Sequence, residues 1–436
     1  MVSLKGQLRY LTVPVFFEFV LWMTVGAADT IMLGKYSDGA VAAVGLANQL
    51  IAFCFLVFQF VSVGASILIA QYFGAKEHNR LAQVFTLAII LELILGGVVS
   101  AIMGFSAGGI LKLMGLRAEL LPHGVPYLKI CGSMMFIQAL NFILATTLRS
   151  TDRPKGPLIS SSVINVINVV GNYLLIFGHF GLPEMGAAGA AWASIFARGC
   201  GCVILIGLHL YYHSTLRIPN LREFANLVKV GIPAMSEELS YCTSQITITY
   251  FVNQISSEAL AARTYAVNII MFTYLFCLAI TQGGSVVVGH LVGKNKYDGA
   301  YRIGTFTERW SMLITMIGSG LLMICGYPIM RLITDNPEIV RLVCWVLVVD
   351  FFLEIGRVRN IFACGILRAA GDVVYPVVVG VIFQWSVAVG LSYLLGIPLG
   401  WGLIGMWIGF ALDENLRGII LMRRWHKKGW VGKSFV

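Results

Sequence analysis

Six carboxylates interrupt runs that are otherwise apolar: Glu18 and Asp29, Glu237 and Glu238, Asp350 and Glu354. Arg357 and Arg359 follow the last of them closely. A charged side chain at the centre of a bilayer costs about 2.5–3.5 kcal/mol on insertion scales, so such residues are paired or functional. Glu18 and Asp29 are separated by about three turns at ~3.6 residues per turn and share a helix face at different depths. Asp29, near the far end of its run, could bind and release a proton. It could equally ligate Na⁺ with amide and hydroxyl oxygens, which suit a hard cation, or anchor a helix end near Lys35. Asp350 and Glu354 are i and i+4, and Glu354 and Arg357 are i and i+3, so the three fit one face. They read either as carboxylates that share a proton or as an internal Glu–Arg network. Asp413, Glu414 and Arg417 form one more helical cluster. These three, with Glu92, Lys129 and Arg198, read as helix-packing partners.

The elements that must position these residues are membrane helices. The chain of 436 residues is 58% hydrophobic and only 12% charged, with a mean hydropathy of +0.82. A soluble globular chain is roughly 25% charged. Apolar runs of about 20 residues recur along the whole length, as a bilayer of about 30 Å requires of helices. No strand alternation is visible, which argues against an outer-membrane barrel. Twelve spans are expected, at 11–34, 43–71, 84–106, 121–147, 157–179, 187–210, 226–253, 261–290, 306–327, 339–366, 374–396 and 402–422. With the N-terminus inside, 20 of the 31 basic residues lie on inner segments, Lys76, Arg149, Lys294 and Arg368 among them, and 6 on outer ones. That bias puts both termini in the cytoplasm and the protein in the cytoplasmic membrane. It also accounts for the net charge of +10 without nucleic acid. All nine cysteines lie in apolar stretches and read as buried thiols.

The chain contains one unit twice. A shift of 219 residues places Pro14 on Pro233, Glu18 on Glu237, Ala42-Ala43 on Ala261-Ala262, Gly64 on Gly283 and Leu148-Arg149 on Leu367-Arg368. A shift of 215 aligns Gly181-Leu-Pro183 with Gly396-Ile-Pro398. Six helices per copy give both copies one orientation, the parallel repeat of secondary transporters. The fold class is therefore all-α and membrane-embedded, with lobes at 1–210 and 229–436, a cytoplasmic linker at 211–228 and a cavity between the lobes. The repeat singles out Asp29, whose counterpart is Ile248, whereas Glu18 recurs as Glu237.

Several short motifs stand in a fixed order: Ala28-Asp29-Thr30, then Ala42-Ala43-Val44-Gly45-Leu46-Ala47, Gln71-Tyr72-Phe73-Gly74-Ala75-Lys76, Leu148-Arg149-Ser150-Thr151-Asp152, Asn168 to Asn172, the Gly186–Trp192 run, and Leu367-Arg368-Ala369-Ala370-Gly371-Asp372. In this order and duplication the chain resembles the multidrug and toxic compound extrusion (MATE) transporters of the MOP flippase superfamily, in their prokaryotic form, over almost its whole length. The resemblance implies a cation-coupled antiporter, driven by H⁺ more than by Na⁺. It would expel mostly cationic, amphipathic organic compounds by alternating access, as a monomer and with no cofactor beyond the coupling ion. It carries an N-lobe cation site onto Asp29, Asn168, Asn172 and Ser194. Some members have Asp where this chain has Asn172, so one carboxylate remains. That favours a lone titrating Asp29 and weakens a Na⁺ cage there. The two asparagines, i and i+4, also suit interhelical hydrogen bonding. Members often carry acids in the seventh and tenth helices, which makes Glu237, Glu238, Asp350, Glu354 and Arg357 a possible C-lobe coupling or substrate site.

Two other functions are weighed. A flippase for a lipid-linked saccharide would need a cavity dense in basic residues to hold pyrophosphate, and here the intramembrane acids outnumber Arg357 and Arg359. A membrane-embedded enzyme would need a nucleophile–base or metal constellation, and none stands out. No Walker-type loop supplies an ATPase.

Overall fold

The computed structural model describes residues 4–212 and 216–436. Among them the chain is helical throughout and contains no strand. Twelve long segments follow one another. They are α1 (Leu4–Tyr36), α2 (Asp38–Ala75), α3 (His78–Leu113), α4 (Leu121–Ser133 and Met135–Ser150, bent by 48° between the pieces), α5 (Lys155–Phe177) and α6 (Gly186–Tyr212). Then come α7 (Leu221–Asn253), α8 (Ser257–Gly293), α9 (Tyr297–Ile333), α10 (Pro337–Ala369), α11 (Val374–Gly396) and α12 (Gly402–His426). A π turn at Gln384–Val389 interrupts α11. Residues 213–215 of the expected linker lie outside the described residues, and the chain is helical again from Leu221.

Eight of these helices are apolar and long enough to cross a membrane alone, or nine with the bent α4, among the described residues. The other three, α7, α10 and α12, carry the C-terminal unit's intramembrane acids Glu237, Glu238, Asp350, Glu354, Asp413 and Glu414, with Arg357 and Arg417. Their charges cancel largely within the protein, which is how polar groups are tolerated at membrane depth.

The sequence repeat recurs in backbone detail. Ser37 caps α2 and Ser256 caps α8, each accepting from the amide three residues on. Both caps leave the helix in extended conformation, which fits their role. Lys76 and Asn295 both take left-handed φ, at 63° and 55°, in the turns after α2 and α8. Asp152 and Gly371, again one repeat apart, do so at 60° and 96°. A left-handed residue closes a helix by satisfying its last carbonyls.

The described chain divides into two compact units, Val13–Gly231 and Met1–Thr12 with Ile232–Val436. The boundaries fall beside the repeat-related Pro14 and Pro233, inside α1 and α7 rather than between helices. Each unit thus includes the first turns of the other's leading helix. In the C-terminal unit, Leu8 and Leu11 of α1 lie in one core with Val287, Phe362 and Trp425. A Cβ on Gly283 would stand 2.5 Å from Thr12 Oγ1. In the N-terminal unit, a Cβ on the equivalent Gly64 would stand 3.1 Å from Leu227 O of α7. The start of α7 is fixed there by Glu223, which accepts from Tyr72 Oη (2.7 Å) and from Arg80 Nε (2.9 Å).

The main N-terminal core joins α2, α3, α4 and α6 through residues such as Val44, Phe58, Leu111, Leu128 and Ala191. A matching C-terminal core joins α7, α8, α10 and α12 through Ile248, Ala266, Leu347, Leu353 and Met406. Ile248, the counterpart of Asp29, is therefore an ordinary core residue.

Candidate functional site

In the N-terminal unit, α1, α5 and α6 bring the four predicted residues together. Asp29 is buried near the end of α1. Asn172 Nδ2 donates to Asp29 Oδ1 at 2.5 Å and also to Asn168 Oδ1 at 3.2 Å. Asn168 Nδ2 donates to Ser194 Oγ at 3.0 Å. The i, i+4 spacing of the asparagines on α5 places both on the face that meets α6, where Gly171 and Ala193 permit close approach. Asn168, Asn172 and Ser194 are all buried.

This chain of side chains has one formal charge and an open end. Asn172 Oδ1 is buried without a hydrogen-bond partner among the described residues. A proton on the other Asp29 oxygen would leave the bond from Asn172 Nδ2 to Asp29 Oδ1 in place. A hard cation could instead draw on Asp29 and Asn172 oxygens, with Ser194 further along. No group of three or more His, Cys, Asp or Glu side chains placed to hold a metal occurs among the described residues. A cation here would rest on amide and hydroxyl oxygens around a single carboxylate.

One residue that sequence reasoning assigned to helix packing belongs to this site. Arg198, one turn beyond Ser194 on α6, is close enough to act electrostatically on Asp29. It makes no salt bridge of its own among the described residues, and its guanidinium carbon lies 5.8 Å from the Phe55 ring centroid. The i+4 relation to Ser194 was the available signal. Tyr127 on α4 donates to Asn48 Oδ1 at 3.0 Å.

The C-terminal acids are arranged differently. Arg357 forms an ion pair with Glu354 and stands 3.8 Å from Asp350 Oδ1, so the three share a face as their spacing predicts. Asp350 Oδ1 also accepts from Trp407 Nε1 at 3.1 Å. Arg417 donates to Asp413 Oδ2 at 2.5 Å and to Glu414 Oε1 at 3.1 Å. Asn360 Nδ2 ties Glu414 Oε2 to α10 at 2.7 Å. All of these acids are buried. Close packing of α10 on α12 makes this possible, because Gly356 leaves no room for a Cβ beside Glu414 and Asn415.

Glu237 and Glu238 point different ways, as neighbours on a helix must. Glu237 is ion-paired with Arg368 and accepts weakly from Cys364 Sγ at 3.6 Å. Glu18 pairs with Arg149 at 2.6 Å. These are the same two residues one repeat earlier, so the Glu–Arg pair is a shared structural feature of both units. Glu238 is exposed. Arg359 lies 3.6 Å from Glu308 on α9, outside the buried cluster.

A twelve-helix membrane protein built as a duplicated six-helix unit, with an acid–amide site in one copy and buried ion pairs in the other, has the architecture of a secondary transporter. The MatE family model matches residues 14–174 and 233–394, one match in each copy of the repeat. The chain belongs to the MatE family of membrane transporters. It is 35% identical to the uncharacterized transporter YisQ of Bacillus subtilis, over 97% of this chain and 94% of that protein. It is 26% identical to the probable multidrug resistance protein NorM of Thermotoga maritima, over 98% and 94%. Among solved structures, one of MATE in the bent conformation superposes with a TM-score of 0.89 at 18% identity, covering 98% of this chain and 95% of that one. A MOP superfamily transporter from Pyrococcus furiosus, described as having a binding pocket of reversed polarity, superposes at 0.87 and 18% identity, covering 98% and 96%. The fold is thus that of twelve transmembrane helices in two six-helix lobes.

Proposed function

We propose that this protein is a cation-coupled antiporter of the cytoplasmic membrane, with both termini in the cytoplasm, that exports amphipathic organic cations as a monomer. Family membership and the multidrug resistance proteins among its relatives support export of organic compounds. The coupling site is Asp29 with Asn168, Asn172 and Ser194, and the coupling ion is H⁺ rather than Na⁺. One observation carries that choice: Asp29 is the sole carboxylate of a buried chain whose other members are neutral amides and a hydroxyl. A lone carboxylate is neutralised by one proton, whereas a cage for Na⁺ gains from further formal charge. Proton and substrate then compete for one conformational equilibrium. Asp350, Glu354, Arg357 and Glu237 hold the C-terminal unit together, and exposed Glu238 is the C-terminal acid free to meet a cationic substrate.

The test is ethidium efflux from vesicles holding the protein or Asp29→Asn, under an imposed ΔpH or an imposed Na⁺ gradient. Efflux driven by ΔpH and lost in the variant is the expected result. Efflux driven by Na⁺ alone would make the site a sodium site, and no dye movement under either gradient would overturn the export reading in favour of a flippase.

A further inference from the structure

One buried acid has no part in that scheme. Glu92, in the middle of α3, is completely buried, and Ala88 a turn away is too. Its Oε1 accepts from Ser62 Oγ of α2 at 3.0 Å. Its Oε2 is buried with no hydrogen-bond partner among the described residues. The helices packed on α3 are α2 and both pieces of α4. Apart from Asp38 and His123 near helix ends, their ionisable groups are Cys54 and Tyr72 on α2 and Tyr127, Lys129, Cys131 and Arg149 on α4. Of these, Tyr72 is engaged with Glu223, Tyr127 with Asn48 and Arg149 with Glu18, while Lys129 is exposed. Among the described residues none of them hydrogen-bonds Glu92, and Ser62 is its one polar partner.

An ionised carboxylate with a single hydrogen bond and no ion pair, inside a membrane helix bundle, is far costlier than a neutral acid. The neutral form keeps the Ser62 bond and carries its hydrogen on the other oxygen. A hard metal cation takes many more oxygens than one carboxyl and one hydroxyl supply. The ligand that fits is a proton. We propose that Glu92 and Ser62 form a second proton-binding site in the N-terminal unit, filled at neutral pH and separate from Asp29. Hydroxyls continue from it: Ser66, one turn further along α2, meets Ser150 Oγ at 3.0 Å. Losing that proton puts a bare charge between α2 and α3, so the site sets an alkaline limit on the stability of this unit. This holds whichever ion couples transport.

The test uses the full chain in lipid nanodiscs in an Asp29→Asn background, which removes the other proton-binding acid assigned to this unit. Infrared spectra at neutral pH are compared with and without Glu92→Gln. The expected result is one carboxylic-acid carbonyl band, absent when Glu92 is replaced and shifted in frequency by Ser62→Ala. The C-terminal acids contribute equally to both spectra and cancel. On raising the pH, the unfolding temperature should fall further in the parent than in the Glu92→Gln variant. Superimposable spectra would overturn the proposal, as would equal pH slopes, or a band that Na⁺ removes at constant pH. Should Glu92→Gln fail to fold, an unshifted spectrum in Ser62→Ala would overturn it alone.

Discussion

The two halves of this protein started from one pattern and bury their charges in opposite ways. The N-terminal unit keeps Asp29 among amides and a hydroxyl, with Arg198 near but not paired. The C-terminal unit has Ile248 at the matching position and packs Asp350, Glu354, Asp413 and Glu414 around Arg357 and Arg417. A carboxylate held by neutral donors can gain a proton without leaving a partner stranded. One locked to a guanidinium cannot, because its protonation abandons a buried positive charge. The difference separates a site suited to exchange from a scaffold, while the Glu18–Arg149 and Glu237–Arg368 pairs show what both units need simply to hold together.

The comparison breaks first at Asp29. Asp29→Asn should reduce ΔpH-driven dye efflux to the level of empty vesicles while leaving the unfolding temperature near that of the parent. A large loss of stability with efflux retained would reverse the roles given to the two units.

Arg357→Leu is the converse experiment. It strands Glu354 and Asp350, and removing one partner of a buried ion pair costs about 3–5 kcal/mol. Thermal or denaturant unfolding in detergent should show that loss. Replacing Arg357 and Glu354 together by apolar residues should recover much of it.

Asn172→Asp sharpens the contrast within the N-terminal unit. A second carboxylate beside Asp29 should let a Na⁺ gradient drive efflux that it does not drive in the parent. Efflux that still follows ΔpH alone would show that the number of carboxylates does not select the ion.

The smallest effect tests what the units share. Glu18→Gln and Glu237→Gln each weaken a charge-assisted pair and should cost about 1.5–3 kcal/mol apiece. Equal losses in unfolding free energy, with efflux retained, fit a shared scaffold. A loss of efflux confined to Glu237→Gln would place that residue in transport instead.

Much of this architecture is legible in the amino-acid sequence. Composition and recurrent apolar runs identify the solvent as lipid, and lipid leaves the helix as the spanning element. The 219-residue shift exposes the duplication, and the substitution of Ile248 for Asp29 marks the odd carboxylate. Within one helix, spacing decides which side chains share a face, so Asp350–Glu354–Arg357 and Asn168–Asn172 are readable from a period of about 3.6 residues. Contacts between helices are another matter, since they depend on axial offset and crossing geometry that no periodicity encodes. Only the tertiary structure set Arg198 beside Asp29, joined Asn360 to Glu414, left Glu92 with Ser62 alone, and gave each unit the first turns of the other's leading helix. The sequence determined which charges this protein must bury, and packing alone decided which of them are paired and which keep the freedom to titrate.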